Sequence, residues 1–150
     1  MRLAFGTDHA AYALKATMLP LLRARGHEVD DLGCHSADPC DHPDYIIPVA
    51  EAVARGDYEG AIVACGTGQG SAIGANKVRG IRAALCLTPE MGRLARQHND
   101  SNVLVLPARL ITTEQAMAIF DAWISASFEG GRHARRMDKI AEYERRHICP

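Results

Sequence analysis

The sequence predicts an α/β protein with one parallel sheet covered by helices on both faces. Three observations carry that prediction. Short apolar runs alternate with stretches of helical periodicity along the whole chain. The run Ala61-Ile62-Val63-Ala64 is apolar without polar alternation, as in a strand buried on both faces. A glycine-rich turn, Gly66-Thr67-Gly68-Gln69-Gly70, joins that run to the helix-compatible Ser71–Lys77.

In order, Arg2–Gly6 reads as a first buried strand ended by Thr7-Asp8-His9, with Thr7 or Asp8 as helix N-cap. Ala10–Arg25 is amphipathic through Leu14, Met18, Leu21 and Leu22, with Pro20 as a bend and Gly26 as the stop. Glu28–Leu32 is a second strand, and Gly33–Pro43 is a loop. Tyr45–Arg55 has helical spacing through Ile46, Val49, Ala50 and Val53, and Gly56-Asp57 ends it. After the central strand and its turn, Arg82–Leu87 is a fourth strand. Thr88 caps a helix to near Gln97, with Pro89 at its favoured first position. His98–Ser101 reads as a polar turn and Asn102–Leu106 as a fifth strand. Thr112 or Thr113 caps a helix to near Phe128; measured from Thr113, Gln115 is too close for a capping box. Trp123 belongs to the core. Gly130-Gly131 breaks the chain, and Arg132–Arg146 is a last charged helix.

A length of 150 residues fits one domain, 1–150, with one core. The formal charge of −1 gives no basic field for nucleic acid. No apolar run approaches the ~20 residues of a membrane span. Five scattered cysteines, an odd number, point away from a disulfide framework and toward the cytoplasm.

The stretch Glu59–Lys77 is the chemical centre. Glycines let a backbone approach a ligand closely, and the first N–H groups of a helix lack internal partners, so the turn forms an anion cradle. It lacks the spacing of a dinucleotide fingerprint and the Gly-Lys-Ser/Thr of a nucleotide-binding loop. Cys65 stands at its lip, open to reading as a reactive thiol or a small buried hydrophobe. Cys34, His35, Cys40 and His42 lie close in sequence, but C-x5-C is looser than structural zinc spacing, and Asp38, Pro39, Asp41 and Pro43 suggest a turn-rich loop. No metal is expected. Ligands of parallel sheets bind beyond the carboxyl ends of the strands. The sequence assigns Asp8-His9, Cys65–Gly70, His98-Asn99 and Arg109 to that one edge. In the last helix Arg132, His133, Arg135 and Arg136 crowd the first turn, where the dipole disfavours cations. They are a solvated face or an anion clamp.

Four stretches, GTDHAAYALK, CGTGQGSAIGANK, RQHNDSNVL and GGRHARRMDKI, together resemble the B-type ribose-5-phosphate isomerases, a family that also includes allose- and galactose-6-phosphate isomerases. The resemblance implies a three-layer α/β/α, Rossmann-like fold with a five-stranded parallel sheet in order 2-1-3-5-4 and an extended C-terminal helix. It implies an aldose–ketose isomerase of a sugar phosphate that uses no cofactor. It also implies a homodimer or tetramer with active sites shared between subunits. By the same resemblance Cys65 matches the catalytic base, and Thr67 and His98 the ring-opening residues. Asp8 matches a contact to substrate hydroxyls and Asn99 one to the reacting end. The amides of Gly66, Thr67, Gly68, Gln69 and Gly70 match the enediolate cradle. His9, Arg132 and Arg136 match phosphate ligands, the arginines reaching in from the other subunit, with Arg109 nearby. A second branch of the family has a glutamate base where this chain has Ser71. His42 stands where many members have a tyrosine lining the sugar pocket, so sugar length is left among four, five or six carbons. A sugar-phosphate binder without turnover is the alternative; it would need neither Cys65 nor His98.

Overall fold

The computed structural model describes residues 1–148. Five strands, β1 (Arg2–Thr7), β2 (Glu28–Asp31), β3 (Gly60–Cys65), β4 (Ala83–Leu85) and β5 (Val103–Pro107), form one sheet in order β2-β1-β3-β5-β4. Every neighbouring pair is parallel. The helices are α1 (Tyr12–Ala24), α2 (Pro43–Ala54), α3 (Gln69–Ala75), α4 (Pro89–Asn99), α5 (Thr113–Ser125) and α6 (Arg132–His147).

Successive strand residues point to opposite faces, so one strand feeds two cores. Ile62 and Ala64 of β3 pack with Leu14, Met18, Phe120 and Trp123 of α1 and α5. Ala61 and Val63 pack with Ile46, Val49 and Val53 of α2. This explains the unbroken apolar run: both faces of β3 are covered, and all six of its residues are buried. Burial contributes about 1.5–3 kcal/mol for each fully covered large aliphatic or aromatic side chain.

Several boundaries differ from the sequence expectation, each for a local reason. Asp8 caps a short 3-10 turn, His9–Ala11, accepting from Ala10 N–H at 3.0 Å and Ala11 N–H at 3.3 Å, and α1 follows. Thr112 is the N-cap of α5. From Thr112 the spacing to Gln115 is right, and a reciprocal capping box forms. The helix then ends at Ser125, short of Phe128. α4 extends through His98 and Asn99, and Asp100, at φ 45°, ends it; the expected polar turn is the helix's last turn.

Lys15 is buried, although it lies on an amphipathic helix beside Leu14. Its Nζ donates to Asp31 Oδ1 at 2.7 Å and to the Cys34 carbonyl at 2.6 Å, tying the start of the loop after β2 to α1. Trp123, with no exposure, donates from Nε1 to Ser101 Oγ at 3.2 Å. No described helix is long and apolar enough to cross a membrane.

Candidate active site

Three strand ends and one helix start meet around a cavity of about 300 Å³ at the carboxyl edge. β1 delivers Asp8 and His9, β3 delivers Cys65, Gly66 and Thr67, and the turn after β5 delivers Arg109. His42, at the start of α2, and Gly70 complete the lining. The loops are sewn together by backbone. Ala108 N–H donates to the Cys65 carbonyl at 3.0 Å and Arg109 N–H to the Gly66 carbonyl at 2.9 Å, which lays the arginine stem against Gly66.

Each polar group has a defined orientation. One oxygen of Asp8 is committed to capping, which leaves the second for a ligand hydroxyl. His9 Nδ1 accepts from the Cys40 N–H at 3.1 Å. The Cys40 carbonyl lies 3.2 Å from the same Nδ1, so this peptide holds that edge of the ring and Nε2 is left for a ligand. Cys65 is 6% exposed at the base of the cavity. Thr67 stands exposed on the loop. Gly68, at φ 75°, occupies the left-handed region, and a Cβ there would lie 2.5 Å from Leu85 Cδ1. The first bond of α3 runs from Ala72 N–H to the Gly68 carbonyl, so the amides of Gln69, Gly70 and Ser71 precede any partner within the helix. The Gln69 side chain is exposed and does not line the cavity. Ser71 is fully buried, and its Oγ has no hydrogen-bond partner among the described residues. The His42 ring packs against Gly70, where a Cβ would lie 2.7 Å from Nε2.

His98, Asn99, Arg132 and Arg136 are elsewhere, which corrects the one-edge expectation. α4 leaves the carboxyl edge and runs back along the sheet. Its eleven residues carry His98 and Asn99 about 16 Å, to the amino edge where β5 begins. There Arg82, just ahead of β4, donates from Nε to the Asn99 carbonyl at 3.1 Å. The chain after α5 returns to the same place, Glu129 N–H donating to the Gln97 carbonyl at 3.0 Å. α6 starts beside His98, with Arg132 and Arg136 exposed. His98 and His133 stack with ring centroids 4.2 Å apart and planes 6° apart. Glu129 Oε2 lies 3.8 Å from one Nε2 and 3.7 Å from the other. Burial holds His133 below its ordinary pKa, and the charges of His98 and Arg132 add to that. One chain thus displays two half-constellations on opposite edges of the sheet.

The sequence names His133 only among the cations of the last helix, a solvated face or an anion clamp, and does not single out Glu129, which no periodicity distinguishes. With His98 their ligand atoms form the one potential metal-binding group among the described residues. Cys34, His35, Cys40 and His42 diverge. The Cys34 thiol donates to the Ser36 carbonyl at 3.3 Å, His35 is exposed, Cys40 meets His9, and His42 covers Gly70. A larger cavity of about 690 Å³, lined by Ile47, Glu51, Arg55 and Lys77 among others, holds no candidate residue.

The family model described as Ribose/Galactose Isomerase matches residues 3–140. The chain belongs to this family. It is 46% identical over 145 residues to ribose-5-phosphate isomerase B of Escherichia coli (strain K12), covering 97% of each chain. Solved structures agree on the fold of this ribose/galactose isomerase. It superposes on Clostridium thermocellum ribose-5-phosphate isomerase B with a TM-score of 0.96 at 46% identity, covering 98% of this chain and 99% of that one. Against Mycoplasma genitalium ribose-5-phosphate isomerase B with bound ribulose-5-phosphate the TM-score is 0.91 at 38% identity, covering 96% of each chain.

Proposed function

We propose that this chain interconverts ribose 5-phosphate and ribulose 5-phosphate through an enediol, with Cys65 as the base, in an active site completed by a second copy. The observation that carries the reading is the thiol at the base of a cavity beside partnerless helix-start amides, with His9 and Arg109 at its rim.

The chemistry needs four parts. Ring opening moves a proton from O1 to the ring oxygen, and Thr67 together with His98 of the second copy does this. The Cys65 thiolate then takes the C2 proton. The electrons move toward O1, a proton leaves O2 and one reaches O1, and return of the carbon-bound proton at C1 gives the ketose. The enediolate charge falls on the loop amides from Gly66 to Gly70. Such preorganised donors typically contribute ~10²–10³ in rate each. Asp8 accepts from a sugar hydroxyl, and Asn99 of the second copy contacts the reacting end. His9 and Arg109, joined by Arg132 and Arg136 of the second copy, hold the phosphate; planar guanidinium groups suit that role. The amino-edge half-constellation supports this division, because no residue of the same chain brings His98 to the Cys65 cavity. The assembly is then a two-fold dimer or a tetramer of such dimers, and the two sites are equivalent by symmetry. The proposal places the chain in the cytoplasm, where its thiols stay reduced, and assigns it no metal or organic cofactor.

Cys65→Ala tests the assignment. Turnover should fall about 10²–10⁴-fold, the usual contribution of a general base. Exchange of the substrate's C2 proton with solvent should fall in step, while phosphate-dependent binding is kept. Full exchange in that variant moves the base elsewhere. A panel of aldose phosphates of four to six carbons, compared by kcat/KM, decides sugar length, on which His42 bears directly. Binding of all with turnover of none would leave a sugar-phosphate sensor.

A further inference from the structure

The stacked pair at the amino edge invites a metal reading, but its geometry opposes one. Rings only 6° from parallel direct their lone pairs side by side rather than at a common point. Arg132 and Arg136 add positive charge beside them.

The hydrogen-bond pattern gives the pair a different use. His133 is the one buried residue of α6. Burial first, then the charges on His98 and Arg132, holds its pKa below the ordinary 6.5; Glu129 pulls the other way and Arg136 pushes down again. Farther along α4, Glu90 and Arg93 complete the charged groups that face this cluster. A neutral imidazole has one bare nitrogen. Arg132 Nε, which can only donate, lies 3.4 Å from His133 Nε2. The bare nitrogen is therefore Nε2, and the proton sits on Nδ1. The opposite use of the same ring is its face, which lies flat on His98.

We propose that His133 is the positioning residue of this half-site: its ring face sets the plane of His98 while its Nε2 holds the Arg132 guanidinium, fixing the ring-opening group relative to the phosphate clamp. This rests on the isomerase reading above. Protonating His133 would remove the acceptor and set a second positive charge against Arg132, releasing it.

Two measurements test it. In wild-type protein labelled with ¹⁵N-histidine, long-range proton–nitrogen NMR should show His133 at pH 7 as the neutral Nδ1–H tautomer. An Nε2–H tautomer or a charged ring at pH 7 overturns the proposal. Kinetics then separate the two contacts. His133→Phe keeps a flat ring and loses the acceptor. KM for ribose 5-phosphate and the inhibition constant for inorganic phosphate should each rise about fivefold, the effect of one net hydrogen bond, with kcat within about twofold. His133→Gln keeps an acceptor near the Nε2 position and loses the ring. Its KM should stay near wild type while conversion of ribose 5-phosphate falls about ten- to a hundredfold, the effect of roughly 1 Å of misplacement. Ribulose 5-phosphate reads the enediol step alone: its O5 is phosphorylated, so it closes no furanose ring. Solvent exchange of its C1 proton should persist in His133→Gln. Parallel losses of KM, kcat and exchange in both variants, or wild-type behaviour in both, overturn the proposal. Wild-type protein that catalyses neither conversion nor exchange overturns the isomerase reading instead, while the NMR tautomer still reports on His133.

Discussion

Replacing Gly70 by alanine sets stability against activity. Gly70 lies in the first turn of α3, where alanine is the better helix former by about 0.5–1 kcal/mol. On that count alone Tm should rise by about 1–4 °C for a chain of this size. The new Cβ, however, would lie 2.7 Å from His42 Nε2, whereas ordinary contact begins at 3.4 Å. The ring must retreat by about 0.7 Å, small enough for a side chain yet costly where it lines a reacting cavity. Misplacement of roughly 1 Å costs as much as 10²-fold in rate. We therefore expect kcat/KM for ribose 5-phosphate to fall about ten- to a hundredfold while the thermal midpoint holds or rises, read by coupled assay and calorimetry on one preparation. A double-mutant cycle assigns the cause. With His42→Ala already in place, adding Gly70→Ala should change little, because the ring it displaces is gone. Unchanged kcat/KM in the single variant would refute the reasoning. A further tenfold loss in the double variant would also refute it, by moving the effect to the loop amides.

Other outcomes follow from the same geometry. Cys65→Ala and Arg136→Ala homodimers should each be nearly inactive. After verified subunit exchange, each heterodimer should recover about half of wild-type activity, because one of its two equivalent sites carries neither defect; no recovery would return the arginine to its own chain's site. Lys15→Met should destabilise the fold by about 2–3 kcal/mol in urea melts, since it strips a buried carbonyl and a half-buried carboxylate of their donor; a loss below about 0.5 kcal/mol would show that the tether contributes nothing. Burial pushes the Cys86 thiol up to about 12, so at pH 8 only roughly one molecule in ten thousand carries the thiolate. Mass spectrometry after native iodoacetamide treatment should find Cys86 unmodified, and rapid labelling would contradict its burial.

Much of the carboxyl edge was legible in the sequence because the signals there are local. An unbroken apolar run implies a strand covered on both faces, and glycines after it imply a backbone turned toward a ligand; β3 and its loop supply both. The amino edge was not legible, because direction matters more there than composition. His98 lies one helix beyond the fourth strand, and a helix after a parallel strand runs backward, each residue carrying the chain about 1.5 Å away. The capping box on α5 was missed for a smaller reason: two adjacent threonines compete for one cap, and the spacing to Gln115 is right only from Thr112. Lys15 sits in a helix read as amphipathic and His133 in a run read as a solvated face or an anion clamp, and neither reading implies a buried side chain. Their burial comes from segments distant in sequence, Asp31 and Cys34 for one and His98 for the other, which no periodicity within a helix reports.

The tether at Lys15 has a consequence for redesign. The loop from Gly33 to His42 is pinned at its start, where Lys15 grips the Cys34 carbonyl and Cys34 N–H meets the Thr7 carbonyl at 2.9 Å. At its end the His42 carbonyl accepts from Ile46 N–H at 3.0 Å as α2 begins. Between those posts Ser36, Asp38 and Pro39 are exposed. The stretch 36–39 is thus a replaceable cassette, bounded on one side by Cys40, whose N–H holds His9 Nδ1 at 3.1 Å. Doubling its length costs only about 0.6 kcal/mol in closure entropy. A longer or shorter insert there redraws the approach to the cavity, while Cys40 on His9 and His42 on Gly70 keep the site's own wall in place. Selection for a new sugar has a region to vary that is insulated from the machinery of proton transfer.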